Sequence, residues 1–95
     1  MVTLIWTAPA LQKLEEILEY YELQKSDYCY ILKERIDEKI ELLKNFPQIG
    51  RIVPEDKSKQ LREIFVDSYQ IIYLFSENSI KIVSVLHFKQ NFKIK

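Results

Sequence analysis

Three short runs of β-branched and aromatic residues, joined by two tight polar turns, fill the C-terminal half of the chain and most constrain its fold. They are Leu61–Val66, Tyr69–Phe75 and Ile80–Phe88, separated by Asp67-Ser68 and by Ser76-Glu77-Asn78-Ser79. Runs of this composition with turns this short predict an antiparallel meander. Tyr69, Ile71, Tyr73 and Phe75 alternate with Gln70, Ile72 and Leu74, so both faces of the middle run are largely apolar. That predicts a central strand, or a strand with one face covered by a partner.

Two helical patterns precede the meander. Val2–Trp6 is a strand candidate with Val2, Leu4 and Trp6 on one face. Thr7 is placed to cap the next helix, and Pro9 falls in its first turn, where a missing N–H costs little. Leu11, Leu14, Leu18 and Tyr21, with Ile17 beside them, make a helical stripe, and Glu15, Glu16, Glu19 and Glu22 make the opposite face acidic. Lys25-Ser26-Asp27 is a hairpin connection. The second helix is expected from Tyr28 to Phe46, with Leu32, Ile36, Ile40 and Leu43 as its stripe and Tyr28, Leu42 and Phe46 flanking. Pro47 stops it, and Gly50 supplies a permissive backbone position.

Residues 51–60 are polar and read as a loop long enough to carry function. Residues 89–95 form a basic tail. The expectation is a single α+β domain spanning 1–95. Its order is β-α-α-β-β-β, with a helix hairpin packed on a twisted antiparallel sheet of about four strands.

Composition narrows the function. The chain has 95 residues, 47% of them hydrophobic, and its net charge is zero. Residues 1–46 hold 6 Lys/Arg against 9 Asp/Glu, and residues 47–95 hold 8 against 5, so the halves carry −3 and +3. The sheet-side half is therefore either an ordinary solvated surface or one that meets an acidic partner or nucleic acid. Overall neutrality argues against a general polyphosphate binder. One histidine and one cysteine exclude the usual His/Cys zinc sites within one chain, and one glycine excludes a phosphate-cradling loop, so no metal or cofactor is expected. Cys29 reads as a small apolar helix residue. It cannot form an internal disulfide, which fits a reducing compartment. No run approaches the length of a membrane span. The chain opens on a strand-like run without a charged n-region or cleavage site, and a cytoplasmic location is expected.

Several side chains invite chemistry. Arg62 could pin the loop through a carboxylate or bind phosphate. His87 could be a hydrogen-bonded structural residue or a general acid or base. Tyr69 and Tyr73 could pack in the core with hydroxyls at its rim or stack on a base. Arg51 could hold a partner carboxylate or cap the preceding helix.

Ala8-Pro9-Ala10-Leu11 after Trp6, Ile17-Leu18-Glu19-Tyr20-Tyr21 and Leu43-Lys44-Asn45-Phe46-Pro47-Gln48-Ile49-Gly50-Arg51 occur in that order. They are followed by Leu61-Arg62-Glu63, Tyr69-Gln70-Ile71-Ile72-Tyr73 and Val85-Leu86-His87. In order and spacing, over roughly residues 2–90, they resemble the RelE/ParE superfamily, the toxins of type II toxin–antitoxin modules. The resemblance implies a small growth-inhibiting cytoplasmic toxin of the kind that stabilises plasmids. A co-expressed antitoxin would neutralise it by wrapping the sheet and the helix hairpin.

The superfamily divides by target. ParE-like members poison DNA gyrase by protein–protein contact; RelE-like members cut mRNA on the ribosome. In-line cleavage of RNA needs a base, an acid and cations around one phosphate. Here the nuclease candidates are Arg62, His87 and Lys89, with Glu55, Lys57 and Lys59 on the loop. Gln70 stands where members commonly have Arg, and no tyrosine follows Tyr73. Val-Leu-His followed by a basic, polar stretch is closer to the ParE-like branch, although Phe88-Lys89-Gln90-Asn91 replaces the Arg pair many members carry. The ParE-like reading assigns target contact to Arg51, Arg62, His87, Lys89 and Lys93. The alternatives are a ribosome-dependent mRNA endoribonuclease and an inactive member kept as an interaction domain.

Overall fold

The computed structural model describes residues 2–88. In chain order the elements are β1 (Thr3–Trp6), α1 (Ala8–Leu23), α2 (Tyr28–Asn45), β2 (Arg51–Ile52), β3 (Leu61–Val66), β4 (Tyr69–Ser76) and β5 (Ser79–His87). The α+β class, the helix hairpin and the three-strand meander match the expectation.

The sheet itself needs two corrections. It has five strands, in the order β1-β5-β4-β3-β2, where about four were expected. It is also mixed: β1 runs parallel to β5, pairing Thr3 with Ser79 through Trp6 with Ile82, whereas the remaining pairings are antiparallel. The helix hairpin between β1 and the meander makes the parallel arrangement possible, because parallel neighbours need a crossover. The additional strand is β2, two residues at the start of the segment read as loop; it pairs Arg51 with Glu63 and Ile52 with Arg62.

Each boundary has a local cause. Pro9 lies in the first turn of α1, as expected, but Thr7 is not its side-chain cap. The Thr7 hydroxyl instead donates to the Ile82 carbonyl at 2.8 Å and ties the start of α1 to β5. At the other end Lys25 adopts φ 55. Lys25 N–H donates to the Glu22 carbonyl and Ser26 N–H to the Tyr21 carbonyl, a Schellman closure built without glycine. Glu77 and Asn78 have φ 49 and 63, which gives the β4–β5 hairpin the twist of a type I′ turn.

The core lies between the helices and one sheet face. Leu32, Ile36, Ile40 and Leu43 of α2 are buried, as their spacing predicts, against Ile64, Val66, Tyr69, Ile71, Tyr73, Ile80, Ile82 and Val85. Each such aliphatic side chain contributes about 1.5–3 kcal/mol when fully buried. In α1 the innermost residue is Ala10, 1% exposed, and the expected Leu11 is 41% exposed. The stripe is therefore Ala10, Leu14, Ile17, Leu18 and Tyr21. Phe46, expected beside the α2 stripe, is exposed. A register shift between Ile72 and Tyr73 leaves Val83 unpaired in β5. This bulge changes the alternation, so Ile80 and Ile82 before it and Val85 after it all face the helices.

β4 is the central strand. Ile72 lies on the face away from the helices, in register with Glu63 and Ser84, and is fully buried. Val53 is also fully buried and sits outside the helix-side cluster.

Candidate functional site

The turn leaving α2, Pro47-Gln48-Ile49-Gly50-Arg51, is bound to the sheet by two side chains. Tyr73 is fully buried on β4. Its hydroxyl donates to the Pro47 carbonyl at 2.8 Å and accepts the Gly50 N–H at 2.9 Å. Burial pushes this phenol's pKa up, so it stays protonated and keeps donating. Arg62 Nη1 donates to the carbonyls of Gly50 (2.7 Å) and Gln48 (3.2 Å). Arg62 thus does brace the neighbouring turn, but through carbonyls and not through the expected carboxylate.

Beside this turn lies a buried acid. Glu63 is 3% exposed and, by register, sits on the sheet face away from the helices. Its Oε1 accepts from Arg51 Nε at 2.8 Å and its Oε2 from Gln70 Nε2 at 2.8 Å. A buried carboxylate is tolerated only when paired and hydrogen-bonded, and both oxygens are served. Arg51 and Arg62 are brought to one corner of the sheet on opposite faces, Arg51 with Glu63 and Gln70 away from the helices and Arg62 on the helix side. Sequence reasoning missed Glu63; the available signal was a carboxylate in register between Leu61 and Phe65.

The loop after β2 is organised by another acid. Asp56 Oδ1 accepts from Ser58 N and Oγ, and Oδ2 accepts from the N–H groups of Gln60 and Leu61. These bonds, the Ser58 hydroxyl first, hold the Asp56 carboxyl below the usual range. Glu55, Lys57 and Lys59 are exposed on this loop.

His87 lies elsewhere. It pairs with Tyr69, whereas Arg62 pairs with Tyr73. Four residues of β4 separate the two positions, about 13 Å at the usual rise per residue. The structure does not bring Arg62 and His87 around a common phosphate. The His87 ring packs edge-on to Tyr69 and stacks on Phe88. The Tyr69 and Tyr21 hydroxyls are 2.9 Å apart, and Tyr69 is buried in the core. At this same end Asp67 accepts from the Tyr28 hydroxyl and from Arg35 Nη1. Lys89 and Lys93 lie outside the described residues.

Among the described residues no group of three or more His, Cys, Asp or Glu side chains converges to hold a metal. No helix among them is long and apolar enough to cross a membrane. Cys29 is buried and unpaired in α2. An open apolar groove of about 610 Å³ runs along Leu42, Phe46, Pro47, Ile49 and Phe75, with Asn45 and Gln48 at its edge.

Comparison with known proteins follows the same lines. The solved structure of a chromosomal ParDE TA system from P. aeruginosa superposes with a TM-score of 0.70 at 19% identity, covering 90% of this chain and 94% of that one. This likeness is one of fold. No individually curated sequence matches. The family model for the ParE toxin of the type II toxin–antitoxin system parDE matches residues 4–92, nearly the whole sequence. The chain belongs to the ParE toxin family of type II toxin–antitoxin systems.

Proposed function

We propose that this ParE-type toxin arrests growth by protein–protein contact, with DNA gyrase as its target, and that an antitoxin encoded beside it neutralises it. The observation that carries the contact reading over the nuclease reading is where the cations go. Arg62 is spent on the Gln48 and Gly50 carbonyls, and His87 lies two strands across and about 13 Å further along the strand direction. Acid–base cleavage requires its groups within hydrogen-bond reach of one reacting centre. A surface that works by contact has no such requirement. Of the residues expected to meet the target, Arg62 braces the turn, and Arg51, His87, Lys89 and Lys93 make the contact in this reading.

The antitoxin reading is supported by apolar surface left uncovered. Leu23 and Tyr30 on the helix hairpin are 75% and 72% exposed, and Phe46 and Ile49 are 60% and 51% exposed beside the groove. Exposed apolar patches on small proteins mark partner surfaces.

The test is to induce the chain without its neighbour and follow DNA and protein synthesis separately by pulse labelling. Early loss of DNA synthesis with DNA-damage signalling is the expected result. Immediate loss of protein synthesis with cut mRNA would replace it with the endoribonuclease reading. Unimpaired growth would leave an inactive member that serves as an interaction domain.

A further inference from the structure

The Arg51 guanidinium is held in position with most of its donors unused. Its Nε–H serves Glu63 Oε1, and Glu63 is itself fixed from the other side by Gln70. Among the described residues Nη1 and Nη2 of Arg51 make no hydrogen bond, and 67% of the side chain is exposed. A guanidinium is a rigid planar fork, so anchoring Nε to a buried carboxylate fixes the direction of its Nη1/Nη2 edge. That edge has the geometry for two parallel bonds to a carboxylate.

The charges at this corner favour an acid. Arg62 sits on carbonyl oxygens and makes no ion pair among the described residues. Arg51 shares the face of the buried Glu63, whereas Arg62, in register with Tyr73, lies on the helix face; both belong to the half that carries +3. Ile52, next in the chain, and Ile49, two residues before Arg51, are 39% and 51% exposed. An exposed, anchored guanidinium within a basic half fits an acidic side chain of a partner.

We infer that the Glu63-held Arg51 is a carboxylate receptor, and that its ligand is an acidic side chain of the neutralising antitoxin. The inference rests on the toxin–antitoxin reading and adds the contact that reading lacked. Glu63 acts through Arg51 and is a positioning residue: it lowers the ordering cost of a long side chain before the partner arrives. Arg51 is also a target-contact residue in the proposed function, so a carboxylate seated there would withdraw it from the target.

The test is calorimetric titration of the full chain with the purified protein encoded beside it, at low and high salt. Arg51→Gln and Arg51→Lys should each weaken binding about tenfold or more, as expected for loss of a charge-assisted bidentate pair. Lysine keeps the charge and loses the fork. Glu63→Gln should weaken binding less, with a melting temperature taken alongside to separate misfolding from misaiming. The Lys81→Gln variant, which removes an exposed cation elsewhere on the sheet, should bind as the parent does. The difference between parent and Arg51→Gln should shrink at high salt. Equal affinity of the parent and either Arg51 variant would overturn the inference, as would no binding by the parent. The toxin reading is judged separately by pulse labelling, so a failure here leaves a growth-arrest result standing.

Discussion

A Cβ added at Gly50 would lie 2.6 Å from the Tyr73 hydroxyl oxygen and 2.8 Å from the Glu63 carbonyl oxygen. The position has no positive φ, so close approach and not conformational freedom demands glycine. Any side chain there would push Tyr73 off the two groups it joins and loosen the turn that carries Arg51. Gly50→Ala should therefore destabilise the fold by about 1–3 kcal/mol through overpacking. Tyr73→Phe should cost a comparable amount, because the Pro47 carbonyl and Gly50 N–H lose their partner in the interior. The two changes meet at one hydroxyl, so the double variant should lose less than the sum. Urea unfolding midpoints check this; strict additivity would show that the alanine's cost arises at the Tyr73 ring edge and the Glu63 carbonyl, which the phenylalanine keeps.

At the scale of elements, the β3–β4 turn is tied to α2 by one acid. Asp67 adopts φ 52, accepts from the Tyr28 hydroxyl and spans Arg35 Nη1 with both oxygens at 3.1 and 2.9 Å. The Tyr28 hydroxyl bond, with help from Arg35, holds the Asp67 carboxyl below its usual range. Burial, then the bond to Asp67, pushes the Tyr28 phenol up to about 12 from 10.0. A raised pKa means the folded state holds the proton more tightly. Its stabilisation is complete below pH 10 and is lost as pH rises toward 12. Asp67 has the opposite sign: its contribution is present above the ordinary carboxylate range and is lost as pH falls through its depressed value. Tyr69 and Tyr73 are also raised and weaken the fold in alkali too, so the informative quantity is a difference. Between pH 10 and 12 the urea midpoint should fall less steeply in Tyr28→Phe than in the parent; parallel slopes would remove Tyr28 from the alkaline transition.

These elements also show what a linear sequence can reveal. The α2 stripe was legible because four aliphatic residues at helical spacing leave one face to bury. The α1 stripe was legible except at its first member, where the small Ala10 is buried in place of the expected Leu11, because size is a poor guide where a helix comes close to a sheet. β2 was hidden because two residues carry no alternation, and its pairing is decided by β3. Val83 was hidden for a related reason: a bulge is a property of two strands together. The site divides in the same way. Arg51 and Arg62 stood out as cations near a Pro-x-x-Gly turn. Their partners, a buried Glu63 and two carbonyl groups, follow only from cross-strand register.

Over the whole molecule, net charge separates along the chain. The acidic half, 1–46, forms β1 and the helix hairpin; the basic half, 47–95, forms the rest of the sheet and runs on into the Lys89–Lys95 segment. Arg51 at the β2 edge is inferred to meet the antitoxin, whereas the proposed target contact draws also on His87, Lys89 and Lys93. β2 and β5 are separated by β3 and β4, so two partners can weigh differently on the two regions. Charges act mainly on encounter and orientation, and reversing two of them in a basic segment changes association strongly. Lys89→Glu with Lys93→Glu should therefore relieve growth arrest by at least about tenfold in surviving colonies while antitoxin affinity stays nearly intact. Plating efficiency under induction, set against calorimetry with the antitoxin, reads both. Full toxicity in the double reversal would take the basic C-terminal segment out of target contact and leave that task to the sheet.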